Sequence, residues 1–516
     1  MKTLCTTSRS CSVLLDPEGH YQAREKRTLT LNGEPWGEEY RSVVSLFDLE
    51  PDTEYELESS TESGKTEKLT FRTKKELCVL DVRDFGAKGD GVSDDTPMLQ
   101  AAILSCPEGG RVILPPGEYV TGPLFLKSRM TLEIPEGTVL RLLTDRNRFP
   151  ILPGAIPAEN AAGEVLMGMW EGNSEEGFAS ALTAIDVKDT AVIGGGVIDG
   201  RGGEGDWWVR PKEKRIARRG HLLYTQRCKG LLFQGLTFLN SPSWNLHPAY
   251  SEDLDFIDLQ IRAPYDSPNT DGFDPESCSN VRLLGTEISV GDDCIALKSG
   301  KILLGKKYHR PCEDVEIAWC AMLDGHGGVT LGSEMAGGIR KIRVHHCYMR
   351  GNDRGLRVKT RRGRGKDGII DDILFEKVRM DGVKMPLIVN SMYFCDPDGH
   401  SEWVQSREKK PVDETTPRIG TIRFEKVEAT GCKACAAYVL GLPEQPAEHI
   451  ALKDCSFGFD PEAEPLVPVM AEQIESCCRR GLILKNVRKV TLDGVRYEGV
   501  DGDWIDAENT EEIIEK

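Results

Sequence analysis

The chain has 516 residues and a mass of 57.2 kDa, room for three average domains or one large one with a small companion. Lys and Arg number 65 against 83 Asp and Glu, a net charge of −18, which excludes uniform electrostatic binding to nucleic acid. A hydrophobic share of 39%, a charged share of 29% and 53 glycines describe a folded, turn-rich chain with few long helices.

No stretch approaches the roughly 20 apolar residues that span a bilayer. The opening residues Met1–Ser8 lack the apolar core of a secretion signal, so a cytoplasmic location is expected. The 16 cysteines are scattered through apolar runs and read as buried free thiols. Cys432-Lys433-Ala434-Cys435 and Cys477-Cys478 lack a second ligand pair at zinc spacing, so no metal and no cofactor are expected.

Residues 1–75 alternate apolar and polar positions, as in Arg27–Leu31 and Lys68–Thr73, and read as short antiparallel strands. Leu49-Glu50-Pro51-Asp52-Thr53-Glu54-Tyr55 resembles the tyrosine corner of fibronectin type III domains, where the hydroxyl pins a strand crossover. The unit is short for that class, so missing edge strands are expected, with a role as spacer or subsite wall. Lys74-Lys75-Glu76 is a charged hinge, and residues 76–516 form the second expected domain. At its start, Asp94 or Asp95 is placed to cap a short helix with Pro97 in its first turn, a plug for whatever follows.

From about residue 190 the chain repeats. Units begin at Gly230, Asp253, Asn280, Asp314, Lys341, Asp372, Thr421, His449 and Lys489, at spacings of 23, 27, 34, 27, 31, 49, 28 and 40 residues. Each is a nine-residue strand–kink–strand unit closing on an apolar residue such as Phe238, Ile261, Ile288, Met322 or Met349. A constant short unit with variable loops marks a solenoid. Alternation at period two makes it all-β, a parallel β-helix behind a small N-terminal β-sandwich.

Four consecutive units carry chemistry just before, or within, the strand that follows the kink: Asn269-Thr270-Asp271, Gly291-Asp292-Asp293, Gly325-His326-Gly327 and Arg357-Val358-Lys359. Gly272-Phe273, Cys294-Ile295, Gly328-Val329 and Leu356-Arg357 are expected at corresponding places. At a rung spacing of about 4.8 Å the four line one face over about 15 Å, a groove for sugar rings. Three carboxylates in two rungs repel, so at least one keeps a proton near neutral pH. Hydrolysis of a glycosidic bond uses such a set, with one protonated acid and one carboxylate acting on water or carbon.

With these four signatures in order, residues 82–400 resemble the polygalacturonases of glycoside hydrolase family 28, right-handed parallel β-helices that cleave pectin. Phe85-Gly86-Ala87-Lys88-Gly89-Asp90-Gly91 is shared more widely among pectin-active β-helices. The resemblance implies Asp292 as general acid and Asp271 and Asp293 as the residues that hold and deprotonate water. It makes His326 a neighbour tuning protonation and touching substrate, and gives Arg357 and Lys359 a galacturonate carboxylate to hold. Asn269 would orient Asp271 or the sugar. It also implies an inverting single displacement, although adjacent rungs suggest carboxylates about 5 Å apart, against roughly 6.5–9.5 Å in inverting enzymes generally.

Two basic blocks, 210–219 and 357–366, each hold six cations and are expected to draw a polyanion to the groove. Trp207, Trp208 and Trp244, with His247, Lys298 and Tyr393, are further candidates for its walls, whereas His345 and His346 read as structural. The N-terminal domain and insertions around 145–178 and 200–220 resemble bacterial exo-acting members, whose loops close one end of the groove. The expected partner is an oligogalacturonide or pectin-derived substrate, cleaved at α-1,4-galacturonosidic bonds. Rhamnogalacturonan or xylogalacturonan hydrolysis, a pectate lyase, and a non-catalytic carbohydrate-binding β-helix remain alternatives.

Overall fold

A computed structural model describes residues 1–158 and 163–516 of the chain; of the expected insertion 145–178, residues 159–162 lie outside the described residues. The first seven strands form two antiparallel sheets. One contains Lys2–Thr6, Cys11–Leu14 and Val43–Leu46; the other, in spatial order, Glu34–Arg41, Gln22–Leu31, Glu54–Thr61 and Thr66–Arg72. No edge strand is missing from this three-plus-four sandwich, contrary to the expectation from its length. Short loops make the saving, such as the Asn32-Gly33 turn between the second sheet's first two strands in chain order. The Tyr55 hydroxyl accepts the Glu50 N–H at 2.7 Å, which ties the corner down as its sequence suggests.

The sandwich is docked on one flank of the second unit. Gln234 exchanges hydrogen bonds with Ser10 at 2.6 Å and Ser12 at 2.7 Å, and Arg41 pairs with Asp258 at 2.5 Å. Leu14 and Val43 pack on Ile257, Leu284 and Trp319. A Cβ on Gly235 would lie 2.3 Å from the Phe47 ring, so this close approach requires glycine.

Strands from Val79 onward wind into a right-handed parallel β-helix with three stacks per turn. A representative rung runs Lys229–Gln234, Thr237–Leu239 and Leu246–Ala249, each strand paired in parallel with its counterpart in a neighbouring rung. The kink between the first two strands is a left-handed residue, repeated as Gly235, Asp258, Gly285, Trp319 and His346. Several repeats also start on such a residue, which explains the Asp253, Asn280, Asp314 and Asp372 seen there, since Asx side chains tolerate that region. Phe238, Ile261, Ile288, Met322 and Met349 are all 0% exposed inside the coil. Each buried side chain of this size adds roughly 1.5–3 kcal/mol of hydrophobic stabilisation.

The helix Thr96–Ser105 sets Leu99, Ala102 and Ile103 over the first rungs, as a plug should. Asp95 holds the N-cap position but spends its carboxylate on the Lys88 and Gly89 amides at 2.8 and 3.0 Å. Asp94 instead accepts the Thr96 N–H at 3.0 Å. All 16 cysteines are free thiols and 11 are buried, Cys432 and Cys435 among them. No helix among the described residues is long and apolar enough to cross a membrane.

Candidate active site

The third stack carries the site, and its register corrects one expectation. Phe273 pairs with Ile295, Ile295 with Val329 and Val329 with Leu356, so Gly355-Leu356 is the fourth counterpart, not Leu356-Arg357. Leu356 and Val358 fill the core at 0% exposure, which turns Arg357 and Lys359 outward. A slip of one residue would have buried both cations among apolar side chains.

The turns before these strands are bound to one another. The Thr270 hydroxyl meets Ser267 Oγ at 2.6 Å and accepts the Gly291 N–H at 3.1 Å, which joins the first motif to the second. His326 N donates to the Asp292 carbonyl at 2.9 Å, joining the second to the third. Two glycines are steric requirements here. A Cβ on Gly291 would meet the Ser267 carbonyl at 2.3 Å, and one on Gly327 would meet Asp293 Oδ1 at 2.8 Å. Gly327 is at the level of Asp293 one rung on, and its missing side chain opens the path by which Arg357 and Lys359 reach that carboxylate.

The result brings the three acids together. Asp271, Asp292 and Asp293 each place a carboxylate oxygen within 4.8 Å of the others. Asp271 and Asp293 are buried in the floor, and the Asp292 side chain is 25% exposed. Asp293 Oδ1 accepts from Arg357 at 3.0 Å and Oδ2 from Lys359 at 2.8 Å. His326 Nδ1 lies 3.3 Å from Asp292 Oδ1. The acidic trio is compact enough for a cation, but both Asp293 oxygens already face fixed positive charges, so the donor set suits a metal poorly.

Electrostatics separate the acids. Burial pushes Asp271 well above the usual carboxylate range, and the neighbouring Asp292 charge adds to it. Burial raises Asp293 too, but Lys359 and Arg357 more than offset it and hold it well below that range. The hydrogen bond to Asp292 raises His326. A second buried group lies behind the trio. Burial pushes Asp274 up to about 8, although Lys298 stands 3.3 Å from it. Lys298 also pairs with Glu334 at 3.5 Å and lies 4.5 Å from the Trp244 ring centroid.

These residues line one cleft of about 640 Å³. Asn269, Asp271, Asp292, Asp293, His326, Arg357 and Lys359 all contribute, as do Trp244, Lys298 and Tyr393. Trp207 does not: it is 0% exposed against Phe149, Phe178 and Arg146. Trp208 packs on the coil core, and His247 is sealed behind the wall at 3.0 Å from Glu276. His345 pairs with Glu316 at 3.1 Å and packs with His346 against Trp319, a structural role. No sandwich residue lines the cleft, so the N-terminal unit is not a subsite wall.

The basic blocks serve mainly to tie loops down. Arg361 and Arg364 hold Asp396 at 2.9 and 2.6 Å, Arg362 holds Glu444 at 2.6 Å, and Lys366 holds Glu414 at 2.9 Å. Of the block 210–219, Lys212 and Arg218 reach the cleft. Sequence reasoning missed Trp170, Glu171, Lys301, Glu334, Asp353, Arg354, Asp396 and Met470, which also line it. Correct register would have found Asp353 and Arg354, which precede Gly355 as Asp292 and Asp293 precede Cys294. Trp170 and Met470 come from loops outside the repeat and carry no such signal.

A profile described as "Glycosyl hydrolases family 28" matches residues 161–464, more than half of the chain. The chain belongs to glycosyl hydrolase family 28. A second profile, "Rhamnogalacturonase A/epimerase, pectate lyase-like", matches residues 79–133 at the start of the coil. A probable polygalacturonase of Vitis vinifera is 29% identical over 400 residues, covering 76% of this chain and 76% of its own. In fold, the family 28 exopolygalacturonase of Yersinia enterocolitica aligns over 100% of this chain and 97% of its own, at 18% identity and a TM-score of 0.73. An exopolygalacturonase from Thermotoga maritima covers 82% of this chain and 92% of its own, at 23% identity and a TM-score of 0.66. The family's parallel β-helix therefore extends over the coil, and the Yersinia likeness takes in the sandwich as well.

Proposed function

We propose that this family 28 enzyme hydrolyses α-1,4-galacturonosidic bonds of oligogalacturonides, releasing short products from the non-reducing end. The observation that carries the reading is the set of three carboxylates within 4.8 Å, one exposed to the cleft and one ionised between Arg357 and Lys359. Loop residues outside the repeat, Trp170, Glu171, Cys395–Pro397 and Met470, join the repeat residues around the cleft, and Lys301 ties Glu171 to Asp396 at 3.9 and 3.2 Å, which favours exo action on a short chain. The two-domain division near residue 75 and a cytoplasmic site of action fit the same reading, since imported oligomers are short.

In the mechanism we favour, Asp292 protonates the glycosidic oxygen, because it is the acid open to the cleft. Asp271 and Asp293 hold and deprotonate the attacking water. Asp293 is kept ionised by its two cations. Asp271 holds a proton partly because the Asp292 charge repels its own. Moving that proton to Asp292 removes the repulsion, arms the acid and frees a base, at constant total charge. Carboxylate oxygens within 4.8 Å of one another resemble retaining enzymes by the general rule. Yet Asp293 has both oxygens committed and Asp271 is only 4% exposed, so neither is free to attack carbon. Both features favour single displacement through water. Arg357 and Lys359, with Lys212 and Arg218 further along, supply positive charge for sugar carboxylates.

Product sizing from defined oligogalacturonides tests the exo reading: monomer or dimer from the first turnover is expected, and an early ladder of intermediate sizes overturns it. Proton NMR of the newly formed anomer tests inversion. Activity confined to rhamnose- or xylose-bearing chains would favour the related galacturonan hydrolases. A calcium requirement with an unsaturated product would favour a lyase, and binding without turnover a lectin-like role.

A further inference from the structure

Arg219 is buried at 6% exposure beside the cleft, yet no carboxylate lies within 4.0 Å of it among the described residues. Its guanidinium instead holds backbone and amide oxygens. Nη1 donates to the Pro242 and Pro268 carbonyls at 2.8 and 3.0 Å, and Nη2 donates to Asn269 Oδ1 at 2.7 Å. Trp170 covers it at 5.6 Å from the ring centroid. Burial lowers its pKa to about 10, so it stays charged at neutral pH.

A guanidinium has donors only, so Asn269 must present its carbonyl oxygen to Arg219. The amide nitrogen, on the other arm of the same planar group, is thereby turned away from Arg219, and Asn269 lines the cleft. Asn269 is also in the left-handed region, at φ 55°, which asparagine tolerates and most residues do not. Backbone and amide are both fixed, two residues before Asp271.

We propose that Arg219 is a positioning residue that locks Asn269 as a hydrogen-bond donor to an acceptor oxygen of the bound uronic acid. The claim rests on the hydrolase reading for its ligand but not for its geometry. A sugar oxygen that accepts is held, and a group that can only donate is refused. The same fork joins the turns at 242 and 268, so the donor and Asp271 keep a constant spacing.

Asn269→Asp separates this role from a structural one, because it preserves the Arg219 contact as an ion pair and deletes the donor. We expect its melting temperature to hold while kcat/KM on trigalacturonate falls about 10–100-fold, mostly through KM. Arg219→Met should lose a similar amount, and Arg219→Met with Asn269→Ala should be no worse than the weaker single variant within about threefold. Losses that multiply, or an Asn269→Asp enzyme with unchanged kcat/KM, overturn the proposal. Arg219→Lys, which keeps charge but cannot span three acceptors, replaces Arg219→Met if the latter fails to fold. A crystal structure of the Arg219 variant gives a result independent of activity. The Asn269 amide should rotate, and an unmoved amide refutes the claim. If the wild type is inert on trigalacturonate, the hydrolase reading falls and this structural result alone decides the role of Arg219.

Discussion

Lys359→Met is the most informative perturbation of the floor. It removes one of the two cations that hold Asp293, at 2.8 Å, in a site where the acid is 1% and the lysine 10% exposed. Arg357 remains at 3.0 Å, so the carboxylate is weakened and not orphaned. An opposite charge this close lowers a carboxylate pKa by about 1–3 units, which corresponds to about 1.4–4 kcal/mol. Asp293 is held below its unfolded value, so its contribution to stability is present above about pH 4 and is lost as the pH falls through the folded value. Lys359→Met should therefore destabilise by about 1.4–4 kcal/mol at pH 7 in urea titrations, and by progressively less below about pH 4. The same substitution should move the acid limb of kcat upward by about one to three pH units, because the enzyme needs Asp293 ionised. Reading kcat separates this from any loss of substrate affinity, which appears in KM. An acid limb that stays in place, with only KM altered, would show that Lys359 serves the substrate alone and that Asp293 does not depend on it.

Asp292→Asn should lower kcat by at least about 10² with an unchanged circular dichroism spectrum, because asparagine keeps an oxygen to accept the Asp293 N–H and to face His326 while losing the acidic proton; turnover within tenfold of wild type would remove it as the acid. Gly327→Ala should cost a comparable factor, since its Cβ would meet Asp293 Oδ1 at 2.8 Å and Thr330 Oγ1 at 2.4 Å. Full activity of that variant would mean Asp293 can shift without consequence. Asp274 is raised by burial to about 8, so its burden on the fold grows as the pH climbs from about 4 toward 8. Asp274→Asn should be the more stable protein at pH 9, by up to about 6 kcal/mol for a rise of about four units, and within about 2 kcal/mol of wild type at pH 5; lower stability at pH 9, measured by denaturation, would contradict the argument.

The repeat was legible because each rung repeats the same local demands. An Asx or Gly in the left-handed region opens many rungs, and an apolar residue such as Phe238 or Met322 closes them. Tyr55 was legible for a similar reason, as its hydroxyl bond to Glu50 spans only five residues. The acids and the Gly-His-Gly turn were visible as motifs, and the coil brings them within reach through rung stacking alone. The Arg357 strand was misaligned by one residue. Its apolar positions Leu356 and Val358 flank a cation, and only pairing with Val329 fixes which set faces the core.

What the sequence by itself determined was the coil and the identity of its reactive groups, because both depend on spacing along the chain and on the 4.8 Å approach of neighbouring rungs. Tertiary structure decided the state of those groups. Whether Asp293 is ionised depends on Lys359, 66 residues away, and whether Arg219 is free or committed depends on Asn269, 50 residues away. The cations of 361–366 could be read as substrate contacts or as loop ties until Asp396, Glu444 and Glu414 were in place beside them. Charge acts through space across low-dielectric protein, and a linear sequence does not carry those distances.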